Sequence, residues 1–400
     1  MDKLKTLSYY VLHLLIFLLP FEERLVPPFL VLFALTNLLG TNWSLRKKLF
    51  KKRALYISAF SAIYLIYALG LIHTSNMEDG LFDMEVKLSL FLVPWVLLTT
   101  DVVNKYTVYS FLHSFIVGII VASTIDLIIA FYGFELTGDF GIFYYQYLSF
   151  YLHPTYFAMY INLAIASVFV LIFHHREEPK WWQFVLLFFL SLMVFQLSSR
   201  TGIITLFLLY LYGLIYLIIN RINLRKSLYF TLGVIVLVTS LAYLTSQYTE
   251  MQREVNADDQ ESSFGVRLSM WKSSKTLVFD HFFFGVGTGD VNDELQKQFA
   301  SDGIKRAVRD NLNLHNQFLQ TQVAVGVFGS LSLVVMLVLP LWPSIRRGRF
   351  FYPLFFVVLG INFLTESVLK TQAGVVFYAV MNSVIFFTYE IATNQKKAEP

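Results

Sequence analysis

The chain has 400 residues, 56% of them hydrophobic and only 14% charged, where a soluble domain carries about 25% charged residues. Such a chain cannot cover its surface with polar groups in water, so it reads as a polytopic integral membrane protein. The net charge of +4 is modest and follows topology, which excludes nucleic acid as a partner, and the absence of cysteine excludes disulfides, thiolate nucleophiles and cysteine-held metals.

An all-α fold with about twelve transmembrane helices is expected, from apolar segments close to the ~20 residues a bilayer requires. In chain order they lie at 5–20, 25–40, 54–72, 86–100, 106–133, 150–173, 181–198, 202–220, 227–246, 315–341, 350–368 and 372–392. Lys3 and Lys5 precede the first run, but no small-residue cleavage site follows it, so an uncleaved membrane helix is expected rather than a signal peptide. The whole chain, 1–400, reads as a single membrane domain.

Basic residues gather in alternate loops: Lys3 and Lys5, the run from Arg46 to Arg53, Lys105, Arg176 and Lys180, Arg221 to Lys226, Arg346 to Arg349, and Lys396 with Lys397. The short loops between hold only Arg24, Lys87, Arg200 and Lys370. The positive-inside rule then places both termini in the cytoplasm and a long loop, 247–314, outside the cytoplasmic membrane.

That loop has its own pattern. Val266 to Phe279 sets Leu268, Trp271, Leu277 and Val278 among Arg267, Lys272 and Lys275, an amphipathic helix for the membrane face or the roof of a cavity. Gly285-Val286-Gly287-Thr288-Gly289 breaks it, as a turn rather than a phosphate loop, because no Lys-Ser/Thr follows. A second short helix is expected over Val291 to Ala300, capped by Asp290 or Asn292.

Three residues stand out for chemistry. Arg200 sits in the short turn Ser198-Ser199-Arg200-Thr201-Gly202, either snorkelling at a helix end or holding an anion. Arg267 opens the loop helix, with Lys272, Lys275, Lys305, Arg306 and Arg309 as rivals for the same role. His315 stands where the loop becomes a membrane helix, either packed at the interface or acting as a base, with Asn316 beside it and Gly326 and Gly329 following. His153 is placed to share that site, and Glu366 and Lys370 belong to the last outer turn. No zinc-type or paired-aspartate metal motif occurs.

Ser199-Arg200-Thr201-Gly202, Arg267 to Trp271 leading into Gly285-Val286-Gly287, and His315-Asn316 followed after nine residues by Gly326-Val327-Phe328-Gly329 together resemble the O-antigen ligase and O-antigen polymerase (Wzy-type) superfamily, most closely an O-antigen ligase. The motif-bearing core covers 185–340. The resemblance implies a glycosyltransferase of the bacterial inner membrane with its active site on the periplasmic side. Its donor would be a glycan on polyprenyl (undecaprenyl) pyrophosphate, and its acceptor a lipid A-core, a growing glycan or a protein hydroxyl, with membrane lipids around it and no metal, nucleotide or other cofactor. It further implies His315 as the catalytic base and Arg200 and Arg267 as donor pyrophosphate ligands, with Asn316, Gly326, Gly329, Arg309 and Glu366 in support. A polymerase or a protein O-oligosaccharyltransferase is the alternative within the family. A flippase for lipid-linked glycans is the alternative outside it, disfavoured by the lack of repeated halves.

Overall fold

A computed structural model describes residues 2–104, 107–174, 180–219, 263–347 and 349–395. In chain order the main helices are α1 (Asp2–Leu18), α2 (Val26–Gly40), α3 (Trp43–Gly70), α4 (Met77–Leu98), α5 (Val108–Thr137), the single turn α6 (Tyr145–Leu148), α7 (Pro154–His174), α8 (Trp181–Gln196) and α9 (Arg200–Ile219). After 220–262 come α10 (Ser263–Asp280), α11 (Val291–Ser301), the short α12 (Lys305–Arg309), α13 (Gln317–Arg346), α14 (Phe351–Thr365) and α15 (Gln372–Gln395). The all-α, multi-pass class holds.

The count of twelve spans does not. Among the described residues six helices are long and apolar enough to cross a bilayer: Glu23–Gly40, Trp43–His73, Val108–Thr137, Pro154–Ile172, Arg200–Ile219 and Gln317–Arg346. Trp181–Gln196, Phe351–Thr365 and Gln372–Thr388 are apolar but shorter. A helix rises about 1.5 Å per residue, so fifteen or sixteen residues fall short of the ~30 Å hydrocarbon core. The stretch 5–20 falls mostly in α1, which ends at Leu18 and whose 17 residues include Lys3 and Lys5. The stretch 86–100 is the second half of α4, whose first half carries Glu78, Asp79, Asp83 and Glu85. The stretch 227–246 lies outside the described residues.

The helices pack into one bundle. α1 lies against α2 and α5, α3 against α4 and α13, and α14 against α7, α9 and α13, while α15 packs on α4. Tyr160 of α7 stacks on Phe377 of α15 with ring centroids 4.1 Å apart, and its hydroxyl donates to the Ala373 carbonyl at 2.9 Å. That satisfies the one polar atom of a fully buried ring. Arg46 and Arg53 belong to the first turns of α3, not to an open loop. Arg46 donates to the Asn37 carbonyl and side chain, both at 3.0 Å, and Arg53 to the Leu98 carbonyl at 2.8 Å, so these charges fasten α2, α3 and α4 at one end.

α13 is broken. Val325 (φ −136°) and Gly326 (φ +68°, ψ −161°) leave helical geometry in its second quarter. The break frees backbone groups that a membrane interior cannot hydrate. The segment 282–287 takes them up: Val286 donates to the Val323 carbonyl at 2.8 Å, Gly287 to the Ala324 carbonyl at 3.1 Å, and Val327 to the Phe282 carbonyl at 2.9 Å. A Cβ at Gly326 would collide with the Phe283 carbonyl, and one at Gly285 with the Ala324 carbonyl. The expected glycine turn is therefore also a clasp, laid along the broken helix.

Candidate active site

The site forms where the ends of α13 and α14 meet the first turns of α9 and α10. Asn316 is the N-cap of α13: its Oδ1 accepts from the Leu319 amide at 3.0 Å, satisfying an otherwise orphaned donor. Its amide nitrogen donates to the Leu364 carbonyl at 3.1 Å, tying α13 to the end of α14.

His315, just before this cap, has φ +44°. That left-handed conformation costs a non-glycine residue roughly 1–2 kcal/mol. Its surroundings over-determine it. The His315 amide donates to Asn313 Oδ1 at 2.8 Å. The preceding Leu314 is held at both ends, its carbonyl by Trp271 Nε1 at 2.7 Å and its amide by Gln320 Oε1 at 3.2 Å.

The imidazole meets a carboxylate. His315 Nδ1 lies 2.8 Å from Glu366 Oε2, and Arg267 donates to Glu366 Oε1 at 2.9 Å. A second Arg267 nitrogen donates to the Thr365 carbonyl at 3.0 Å, one of the free carbonyls at the end of α14. Glu366 is buried, and burial alone would raise its pKa. The hydrogen bond and charge of His315, with the charge and hydrogen bond of Arg267, outweigh this and hold the carboxyl below its usual range. When Nδ1 donates to this carboxylate, Nε2 is the ring nitrogen left to accept a proton, the arrangement a general base needs. Among the described residues Arg267 uses two of its five N–H donors.

Arg200 is the first residue of α9 and is exposed. Its neighbours explain the motif around it. Ser199 Oγ accepts from the Gly202 amide at 3.1 Å and so caps α9. Gly202 lies so close to α7 that a Cβ would press on Ala158. Thr201 donates to Thr365 Oγ1 at 2.9 Å, which brings the start of α9 to the residue beside Glu366. His153 is near enough to feel the charges of Glu366, His315 and Arg267.

The structure thus joins His315, Glu366 and Arg267 directly, ties Asn316 to the end of α14, and brings Thr201, next to Arg200, against Thr365. Gly326 and Gly329 act one level away, in the broken helix, where a Cβ at Gly329 would meet the Val325 side chain. Arg309 does not join the cluster; it pairs with Asp310 at 2.8 Å on an exposed turn. The expected cap of α11 takes a different role. Asp290 makes no side-chain cap bond, and its carboxylate accepts instead from the amides of Ser75 and Asn76, at 2.8 and 2.6 Å. α10 is less one-sided than expected: Val266, Met270 and Leu277 are buried while Phe264, Leu268 and Phe279 stay exposed. Thr365 works through Thr201, 164 positions away in the chain, and Gln320 through Leu314, six positions before it, and neither role shows in a local pattern. Among the described residues no group of three or more His, Asp or Glu is placed to hold a metal ion.

Fold and site together define an all-α, multi-pass membrane protein with a histidine–carboxylate–arginine cluster at the junction of four helices. Residues 185–334 match the family model described as O-Antigen ligase, so this part of the chain is homologous to that family. The match contains Arg200, Arg267, His315, Gly326 and Gly329 and stops before Glu366. A Haemophilus influenzae protein described only as uncharacterized is 24% identical over 134 residues, which is 31% of this chain and 34% of that relative. The alignment therefore spans about a third of the relative's length.

Proposed function

We propose that the protein transfers a glycan from a polyprenyl-pyrophosphate carrier to an acceptor hydroxyl, as an O-antigen ligase-like glycosyltransferase of a bacterial inner membrane. Nε2 of His315 takes the proton of the acceptor hydroxyl, and the oxygen attacks the anomeric carbon of the donor. The bond to the pyrophosphate breaks, and the carrier leaves with the electron pair. Glu366 holds the imidazole in the tautomer with Nε2 free and balances its charge once protonated. Arg267, with Arg200 at the edge of the cluster, binds the pyrophosphate and stabilises the negative charge that grows on it. The observation that carries this reading is the 2.8 Å contact between His315 Nδ1 and Glu366 Oε2, with Arg267 on the other carboxylate oxygen. The homology of 185–334 supports the family of reaction.

The broken helix α13 favours a second reading, since interrupted helices are a feature of transporters. The carbonyls of Val323 and Ala324 at its break are already taken by the 282–287 backbone, which removes the ligands such a site would use. The separating experiment uses purified protein in detergent, lipid-linked glycan and an acceptor. Covalent product from the native protein and none from His315→Ala, with the variant still folded, supports transfer. Product from His315→Ala at the native rate sinks the assignment.

A further inference from the structure

A cavity of about 230 Å³ lies beside the first turns of α13, which follow His315 in the chain. Its walls include Tyr67, Asp83 and Lys87 of α3 and α4, Gln317 and Gln320 of α13, and Lys370. Neither Arg200 nor Arg267 lines it. The same glutamines set the backbone on either side of the site. Gln320 Oε1 takes the Leu314 amide at 3.2 Å, beside His315, and Gln317 Oε1 takes the Leu369 amide at 2.6 Å, beside Lys370. His315 itself does not line the cavity; the contact from Gln320 to Leu314 links the cavity wall to the residue before His315.

Its two ammonium groups differ. Lys87 is satisfied: buried, 2.5 Å from Asp83 and 4.6 Å above the Tyr67 ring. Lys370 is half-buried and makes no side-chain hydrogen bond or ion pair among the described residues. Burial lowers its pKa, while Asp83 and Asp79 raise it and Lys87 lowers it further. No carboxylate contacts this partly desolvated ammonium directly, although Asp79 and Asp83 line the same cavity, and an anionic group entering it supplies that contact. The remaining lining, with carboxylates, amides and the rings of Tyr67 and Phe82, suits hydroxyls and one face of a sugar ring.

We propose that this cavity is the acceptor subsite, and that it takes a sugar residue carrying a carboxylate or phosphate whose charge pairs with Lys370. The proposal rests on the transfer reading above for the word acceptor, and on the cavity and its unpaired lysine for the ligand class. The arginine cluster then serves the donor, and the cavity holds the acceptor beside the start of α13.

Binding to the full chain in detergent micelles, followed by ligand-observed NMR, tests this without turnover, so its outcome is separate from that of the His315→Ala assay. The probes are glucuronate, glucose and inorganic pyrophosphate. Glucuronate is expected to bind about tenfold more tightly than glucose. Lys370→Met removes that preference and Lys370→Arg keeps it. Phe82→Trp narrows the cavity without altering a charge and weakens both sugars, which keeps the test open if the Met variant does not fold. Equal binding of the two sugars overturns the proposal, as does a preference that survives Lys370→Met. Pyrophosphate binding more tightly than glucuronate, in a Lys370-dependent way, makes this a donor phosphate site and overturns the acceptor assignment.

Discussion

His315 Nδ1 and Glu366 Oε2 stand 2.8 Å apart although 51 positions separate them in sequence. Arg267 holds the other oxygen of the same carboxylate. Substituting Glu366→Gln therefore has a defined geometric outcome. Arg267 requires an acceptor, so the amide oxygen turns to it and the amide nitrogen faces His315. Nδ1 must then accept, Nε2 carries the proton, and the base is lost. Turnover is expected to fall by about 10²–10⁴ with little change in donor KM. Steady-state rates with purified donor check this, and Glu366→Asp should recover part of the loss.

Arg267→Lys keeps the charge but not the fork. One ammonium cannot reach Glu366 Oε1 and the Thr365 carbonyl while still offering donors to an anion. Donor KM is expected to rise about tenfold or more, with a loss of roughly 1–3 kcal/mol in stability from the contacts left unmade. Donor titration and thermal melting in detergent measure the two effects separately.

Gly326→Ala and Gly138→Ala have similar φ, +68° and +69°, but different surroundings. At Gly138 no atom lies within 4 Å of the added Cβ, whereas at Gly326 the Cβ runs into the Phe283 carbonyl. The first is expected to cost only the roughly 1–2 kcal/mol of left-handed backbone. The second must also displace the clasp and is expected to abolish stable expression. Equal melting temperatures for the two variants would contradict the clasp.

The pH dependence follows from Glu366, whose pKa in the folded protein lies below the ordinary 4.5. A depressed carboxyl contributes stability that is fully present above its unfolded pKa and is lost as pH falls through the folded value. The melting temperature of the native protein should therefore drop with acidity below about pH 4.5, and Glu366→Gln should flatten that part of the curve.

Much of the site is visible in the sequence because its parts punctuate local structure. His315-Asn316 marks the end of a polar loop, and Asn316 is a helix cap. Ser199 to Gly202 combines a cap, a close approach and a threonine contact in four residues. What stays hidden are pairings between distant segments. Asp290 looks like the cap of α11 and binds Ser75 and Asn76 instead. The glycines at 285 and 287 look like a turn and also serve α13. The span count fails for a different reason. Apolar composition reports what a segment can be buried in, not how long its helix is, and α8 and α14 show the two diverging.

The clasp between 282–287 and the break in α13 has a mechanical consequence. α10 carries Arg267 near its start and runs directly into the clasping segment 282–287, while α13 begins one residue after Asn316 and is gripped at its break. Arg267 and His315 are thus mounted on two arms riveted together at a point away from both. A pull on either arm is carried to the other through the clasp, so the scaffold sets the spacing between the Arg267 guanidinium and the His315 imidazole, and in the proposed reaction the substrates conform to it.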